Sequence, residues 1–293
     1  MEEANVRIHV YRLVPSHDSM SVEDVISRIK QDAIEDRTRR FGAEDMRLEQ
    51  ASSVKNNATG DRYIYLDFVR LRDTHGPGRA SRERAVCGFE LADDEYFGEE
   101  TAALLLPSTG YILLQYNHYG VKPRAIAEYL GQYVDGVTNA YEVNVKTDPN
   151  AERIFNRQNI IRRLELGIDL TEMDARDKAA GRSLGEMAKL AKAMGGRRLK
   201  ITISVGMDKK TGLMPRTKDN IADLLANEAD ALTHAVIAGR ETADSDTEVV
   251  DLLQHKLTSV QSVKLGKDRR FPFEERRKAL KRAYDEWKPI LKK

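Results

Sequence analysis

The chain has 293 residues, with 48 Lys and Arg against 47 Asp and Glu, for a formal net charge of +1. With 32% charged and 41% hydrophobic residues it can bury a core beneath an ionised surface, which excludes a disordered or fibrous chain. It contains no 18-residue apolar run, it begins with the acidic Met1-Glu2-Glu3, and Cys87 is its one cysteine. A cytoplasmic protein is expected, with no membrane insertion and no disulfide framework.

Val6, Ile8 and Val10 alternate with polar residues and predict a strand over residues 6–13. Ser21 then caps a helix whose Val22, Val25, Ile26 and Ile29 share one face. Residues 62–71 are apolar on both faces, as suits a central strand. They run into a polar Gly- and Pro-bearing loop at 72–84, and 85–91 reads as a further strand. Residues 104–114 hold two apolar runs around a turn ending in Gly110, a β-hairpin pattern. Lys122-Pro123 opens a helix that Asp135-Gly136 closes, and 141–145 is a strand. The polar stretch 146–150 reads as a domain boundary.

The second half alternates again. Ile161, Leu164, Leu166 and Ile168 mark a strand, Ser183 to Met194 a helix closed by Gly195-Gly196, and Leu199, Ile201, Ile203 and Val205 an alternating strand. A turn at 208–212, a helix between Asp219 and Asn227, and strands at 233–238 and 247–257 follow. Residues 271–291 form a last helix, with Leu280, Tyr284, Trp287 and Ile290 on one face. The expected fold is α/β (α+β): two mixed-sheet domains, residues 1–147 and 148–293, with flanking helices and a basic C-terminal helix.

Catalytic motifs are missing from the sequence. It has no G-x-S-x-G elbow, phosphate-binding P-loop, H-E-x-x-H pair or full dinucleotide fingerprint, and its six histidines include no pair three or four apart. No catalytic residue, metal ligand or cofactor is therefore assigned. A dispersed metal-dependent nuclease site built on Asp67 and Glu90, or on Glu142 with Lys146, is one alternative, although Glu142 and Lys146 lie four apart where restriction-type sites use a spacing of two. A second alternative is a protein-interaction module that uses the acidic segment 93–100 and binds no nucleic acid.

Charge is distributed unevenly. Residues 262–293 carry twelve basic and five acidic side chains, a net of +7, while the remaining 36 basic and 42 acidic residues leave −6. Arg277, Lys281 and Lys288 fall on one side of the last helix as a basic stripe, and Arg197-Arg198-Leu199-Lys200 forms a second cluster. Guanidinium groups grip phosphates and release condensed counterions. Arg197, Arg198, Lys200, Arg269, Arg270, Arg276, Arg277 and Lys281 are therefore the expected nucleic-acid contacts. Cutting after Val263 would leave an acidic protein that no longer holds DNA.

Residues 111–117 (Tyr-Ile-Leu-Leu-Gln-Tyr-Asn) with the helix at Ile126 to Leu130 form one group of landmarks. Ile168-Asp169-Leu170 with Leu184, Leu190 and Met194-Gly195 form another, followed by Lys200-Ile201-Thr202-Ile203 and a late two-strand region ending in a basic helix with Tyr284. In order and spacing over about residues 104–290, these resemble the RexA-like phage-exclusion and anti-phage DNA-binding family. The resemblance implies a homodimer that binds duplex DNA non-specifically in phage exclusion or defence and signals to a second defence protein.

Overall fold

A computed structural model describes residues 2–17, 19–41, 44–56, 60–74, 76–170, 183–206, 211–228 and 232–292. The fold is α+β: among the described residues, six helices accompany antiparallel sheets of eight and four strands. The chain divides into two compact units. One comprises Met1–Ile8, Leu13–Glu142 and Ser259–Trp287; the other comprises His9–Arg12, Val143–Thr258 and Lys288–Lys293.

The larger sheet is built from β1 (Glu3–Pro15), β2 (Arg39–Phe41), β3 (Glu44–Lys55), β4 (Arg62–Arg72), β5 (Phe97–Leu106), β6 (Tyr111–Gln115), β7 (Tyr141–Val145) and β12 (Thr258–Lys264). Its order is β12-β1-β6-β5-β4-β3-β2, with β7 also pairing β1. The expected hairpin is β5–β6. Gly110 closes it at φ 72°, where a Cβ would meet the Leu13 carbonyl oxygen at 2.7 Å, so glycine is required.

β4 is the central strand that its doubly apolar pattern predicts, buried from Tyr63 through Val69. Ile64, Leu66 and Phe68 share one face. Phe68 meets Tyr129 of α2 (Pro123–Gly131) edge-on at 6.0 Å, and the Tyr129 hydroxyl donates to the Arg37 carbonyl while accepting from the Leu48 N–H. Helix α1 (Val22–Ile29) packs with α2, and the Ser21 hydroxyl accepts from the Asp24 N–H as its cap. Tyr63, Tyr65 and Asp67 point to the other face, because side chains alternate along a strand. They receive the last helix, α6 (Phe273–Leu291): Tyr284 meets Tyr63 at 5.3 Å, the Arg277 guanidinium lies 4.6 Å over Tyr65, and Arg276 binds Asp67. Leu280 of α6 is fully buried, a burial that stabilises by roughly 1.5–3 kcal/mol.

The second unit holds α3 (Pro149–Arg157), β8 (Ile160–Asp169), α4 (Ser183–Ala193), β9 (Arg198–Ser204), α5 (Thr217–Glu228), β10 (Leu232–Arg240) and β11 (Glu248–Asp251), with strand order β11-β10-β8-β9. Leu164, Leu166 and Ile168 of β8 join Ala235 and Ile237 of β10, Ile221 and Leu225 of α5, Ala188 of α4 and Ala151 of α3 in one core cluster. In the opposite register, Arg163 pairs across with Ser204, Glu165 with Thr202 and Gly167 with Lys200, which makes the other face polar.

Three sequence expectations are corrected. Residues 85–91 are exposed and form no strand; a single Arg79–Cys87 bridge is all that pairs there. Within 146–150, the Asp148 carboxylate caps α3 by accepting from the N–H groups of Asn150 and Ala151, and the chain passes from one compact unit to the other between Glu142 and Val143. The strand expected at 247–257 is confined to β11 at Glu248–Asp251 and gives way to a turn, and the next strand, β12, lies beyond that range at Thr258–Lys264. Residues 273–287 of the basic helix belong to the unit built mainly from N-terminal residues, because their partners are on β4. The turn expected at 208–212 lies partly outside the described residues.

Candidate nucleic-acid interface

Arg276 was expected to meet phosphate and instead is 2% exposed. Its Nη1 and Nη2 donate to the two carboxylate oxygens of Asp67 at 2.6 and 2.7 Å, and its Nε donates to the Phe271 carbonyl at 3.0 Å. Burial pushes the Asp67 carboxyl above its ordinary range, against the opposing pull of the Arg276 guanidinium. This fork-to-fork pair fixes α6 to β4, and Arg276 is a structural residue.

The expected basic stripe is largely spent within the molecule. Arg277 donates to Glu274 at 2.6 Å while stacking over Tyr65, so its side chain is only 23% exposed. Lys281 donates to Asp285 at 2.5 Å and lies 5.4 Å from the Tyr284 ring centre. Lys278 pairs with Glu275 at 2.5 Å. Arg270 pairs with Glu100 at 3.1 Å and donates to the Gly98 carbonyl. In the second unit Lys200 pairs with Glu165 at 3.2 Å, and this bond, with Arg163 nearby, holds the Glu165 carboxyl below its ordinary range.

Arg197, Arg198 and Arg269 are exposed and make no ion pair among the described residues. Arg269 sits at φ 63°, in the left-handed region that a non-glycine residue rarely adopts. It is held there by a tight turn: the Arg269 N–H donates to the Gly266 carbonyl, the Gly266 N–H to the Arg270 carbonyl, and the Arg270 N–H to Asp268 Oδ1. The turn joins β12 to α6. Lys264 and Lys267 beside it are also exposed and make no ion pair among the described residues. Sequence reasoning counted both lysines in the charged segment without assigning them a role. Gly266 and Asp268, both turn formers, were the local signal for a protruding cationic tip.

Acids from outside the segment neutralise two of its cations, Asp67 on Arg276 and Glu100 on Arg270. These two pairs draw on the formal +7 of residues 262–293. The acids weighed for nuclease chemistry do not converge. Both Asp67 oxygens are taken by Arg276, Glu90 is exposed in an irregular segment, and Lys146 pairs with Glu152. Among the described residues no group of three His, Cys, Asp or Glu side chains is placed to hold a metal ion. In the acidic segment, Glu99 pairs with Arg72 at 2.6 Å, and Glu100 is held by Arg270 and Arg276.

One polar contact escaped the sequence entirely. His255 Nδ1 lies 2.5 Å from Asp148 Oδ2, and the two residues are 107 positions apart. Partial burial raises the Asp148 carboxyl, but the Ala151 N–H and His255 outweigh it and hold the group below its ordinary range.

Fold and site together define a two-unit α+β protein with a cationic turn leading into a sheet-docked helix, and no described helix is long and apolar enough to cross a membrane. The chain belongs to a family of unknown function (DUF6731), whose family model matches residues 16–292. No curated protein matches it.

Proposed function

We propose that the protein binds duplex DNA by backbone charge, with little sequence preference, through the turn between β12 and α6. The reading is carried by Lys264, Lys267 and Arg269, exposed and without an ion pair among the described residues, in a segment of formal charge +7. Lys264, Lys267 and Arg269 are its phosphate contacts, and Arg270, Arg277 and Lys281 border them with charge already shared with acids. The buried Arg276–Asp67 pair holds the base of the turn, so the cations are presented from an anchored helix. The resemblance to phage-exclusion proteins supplies the setting: a homodimer that senses DNA and signals to a second defence protein.

Fluorescence anisotropy with labelled duplexes of unrelated sequence tests the reading. Affinity is expected to vary little with sequence, and three phosphate contacts give a log–log salt slope of about −2.7. Replacing Lys264, Lys267 and Arg269 together by Ala should flatten that slope. Absence of binding at low salt would overturn the proposal.

A further inference from the structure

Strand β9 lies at the edge of the second unit's sheet: it pairs with β8 on one side and with no other strand among the described residues. Its ladder with β8 has no bulge and its sequence no proline, two of the devices that blunt an edge against further pairing. The backbone fixes which residues face the open side. The Leu170 N–H donates to the Arg197 carbonyl and the Val205 N–H to the Arg162 carbonyl, so residues 197, 199, 201, 203 and 205 turn their own N–H and C=O toward β8. Arg198, Lys200, Thr202 and Ser204 alternate with them and turn theirs to the open edge, where no backbone partner stands among the described residues.

The side chains divide by face. Leu199 and Ile201 pack on the core of the second unit, and Ile203, in line with them, is 45% exposed. Helix α4, which packs against β9, and the turn after it add the exposed apolar side chains of Met187, Leu190 and Met194.

Antiparallel pairing of a strand with its own copy is centred on a two-fold axis, and the position of the axis decides which side chains meet. An axis at Lys200 sets two lysines opposite each other, which is unfavourable. An axis at Thr202 sets Arg198 opposite Gly206, beyond the end of β9. An axis at Ile201 sets Arg198 opposite the partner's Ser204 and Lys200 opposite the partner's Thr202. All four outward residues then exchange backbone hydrogen bonds and no like charges face each other. On the other face Leu199 meets the partner's Ile203, and Ile201 meets its own copy, at the close, non-hydrogen-bonded positions.

We propose that β9 pairs antiparallel with β9 of a second copy of this chain about a two-fold axis at Ile201, joining two four-stranded sheets into one. The interface rests on the homodimer part of the reading above and not on its duplex-binding part, which the turn between β12 and α6 carries.

Light scattering on the full chain as it elutes from a sizing column should give twice the mass of one chain. Thr202→Pro removes an outward N–H and leaves the bonds to β8 in place, so it should give a monomer with an unchanged circular dichroism spectrum. Ile203→Lys, at the exposed end of the apolar row, should do the same if the proline variant fails to fold. In a Cys87→Ser background, Ile201→Cys should oxidise to a covalent dimer, because non-hydrogen-bonded partners have Cα atoms about 4.5 Å apart, within disulfide range. Lys200→Cys should not, because its own copy lies diagonally, roughly 7–8 Å away. A monomer at every concentration up to millimolar, a dimer that survives both substitutions, or a crosslink at Lys200→Cys and not at Ile201→Cys would overturn this interface. The second outcome keeps the homodimer and moves it to another surface, and absence of duplex binding in the anisotropy titration leaves the interface standing.

Discussion

The basic residues of α6 and those that open β9 look alike in sequence, yet the structure treats them oppositely. Along α6 the cations meet Asp67, Tyr65 and Tyr63, three side chains on one face of the buried strand β4, and are drawn into salt bridges and ring contacts. At β9 the facing strand β8 contributes Glu165, which is shared by Lys200 and Arg163, and Arg197 and Arg198 stay exposed. What a cation does is decided by the face of its neighbouring strand. A run of basic residues is a surface only where that face offers nothing to bind.

The sharpest way to break the comparison is to remove the buried partner. Arg276→Met leaves Asp67 charged in a dry site, and urea unfolding should show a loss of about 3–5 kcal/mol. Adding Asp67→Leu should recover most of that loss, since an apolar pair of similar volume costs little. If the single variant unfolds at the wild-type midpoint, the pair does not anchor α6.

A smaller effect is expected at the cap of α3. Asp148→Ala should cost about 1 kcal/mol. Because the folded-state carboxyl lies below its ordinary value of 3.8, its stabilisation is complete above that pH and is lost as pH falls through the lower folded value. The variant should therefore show a shallower loss of stability than the wild type in acid titrations below about pH 4.

The least effect is expected at β9. Lys200→Ala breaks an exposed pair with a side-chain exposure of 65% at the lysine, and the unfolding midpoint should not move measurably. A clear shift would show that this strand face is buried against something, and the contrast with α6 would fail.

Strands with strong periodicity were legible from sequence. β4 with apolar residues on both faces, the β5–β6 hairpin and the alternating β9 all follow their patterns. β3 was not read, because over Glu44–Lys55 only Met46 and Leu48 are buried apolar residues and its pairing with β4 supplies the rest. Helix α3 was not legible, since Asp148-Pro149 serves equally as a turn at a domain boundary and as a cap with proline at the first helical position. At the candidate site the net charge was visible, and Lys264, Lys267 and Arg269 lie within it. The burial of Arg276 was not visible, because its partner is 209 residues away and no local spacing encodes it. The cut after Val263 also changes meaning: it removes α6 and uncovers Tyr63, Tyr65 and Asp67, so lost DNA binding in that truncation would report unfolding.

The 209-residue separation of Asp67 and Arg276 also sets an order of events during synthesis. At roughly 5–20 residues per second, the ribosome delivers the arginine about 10–40 seconds after the aspartate. Until then one face of β4 has no helix to cover it. During that interval the Tyr63, Tyr65 and Asp67 face is the surface a chaperone would hold.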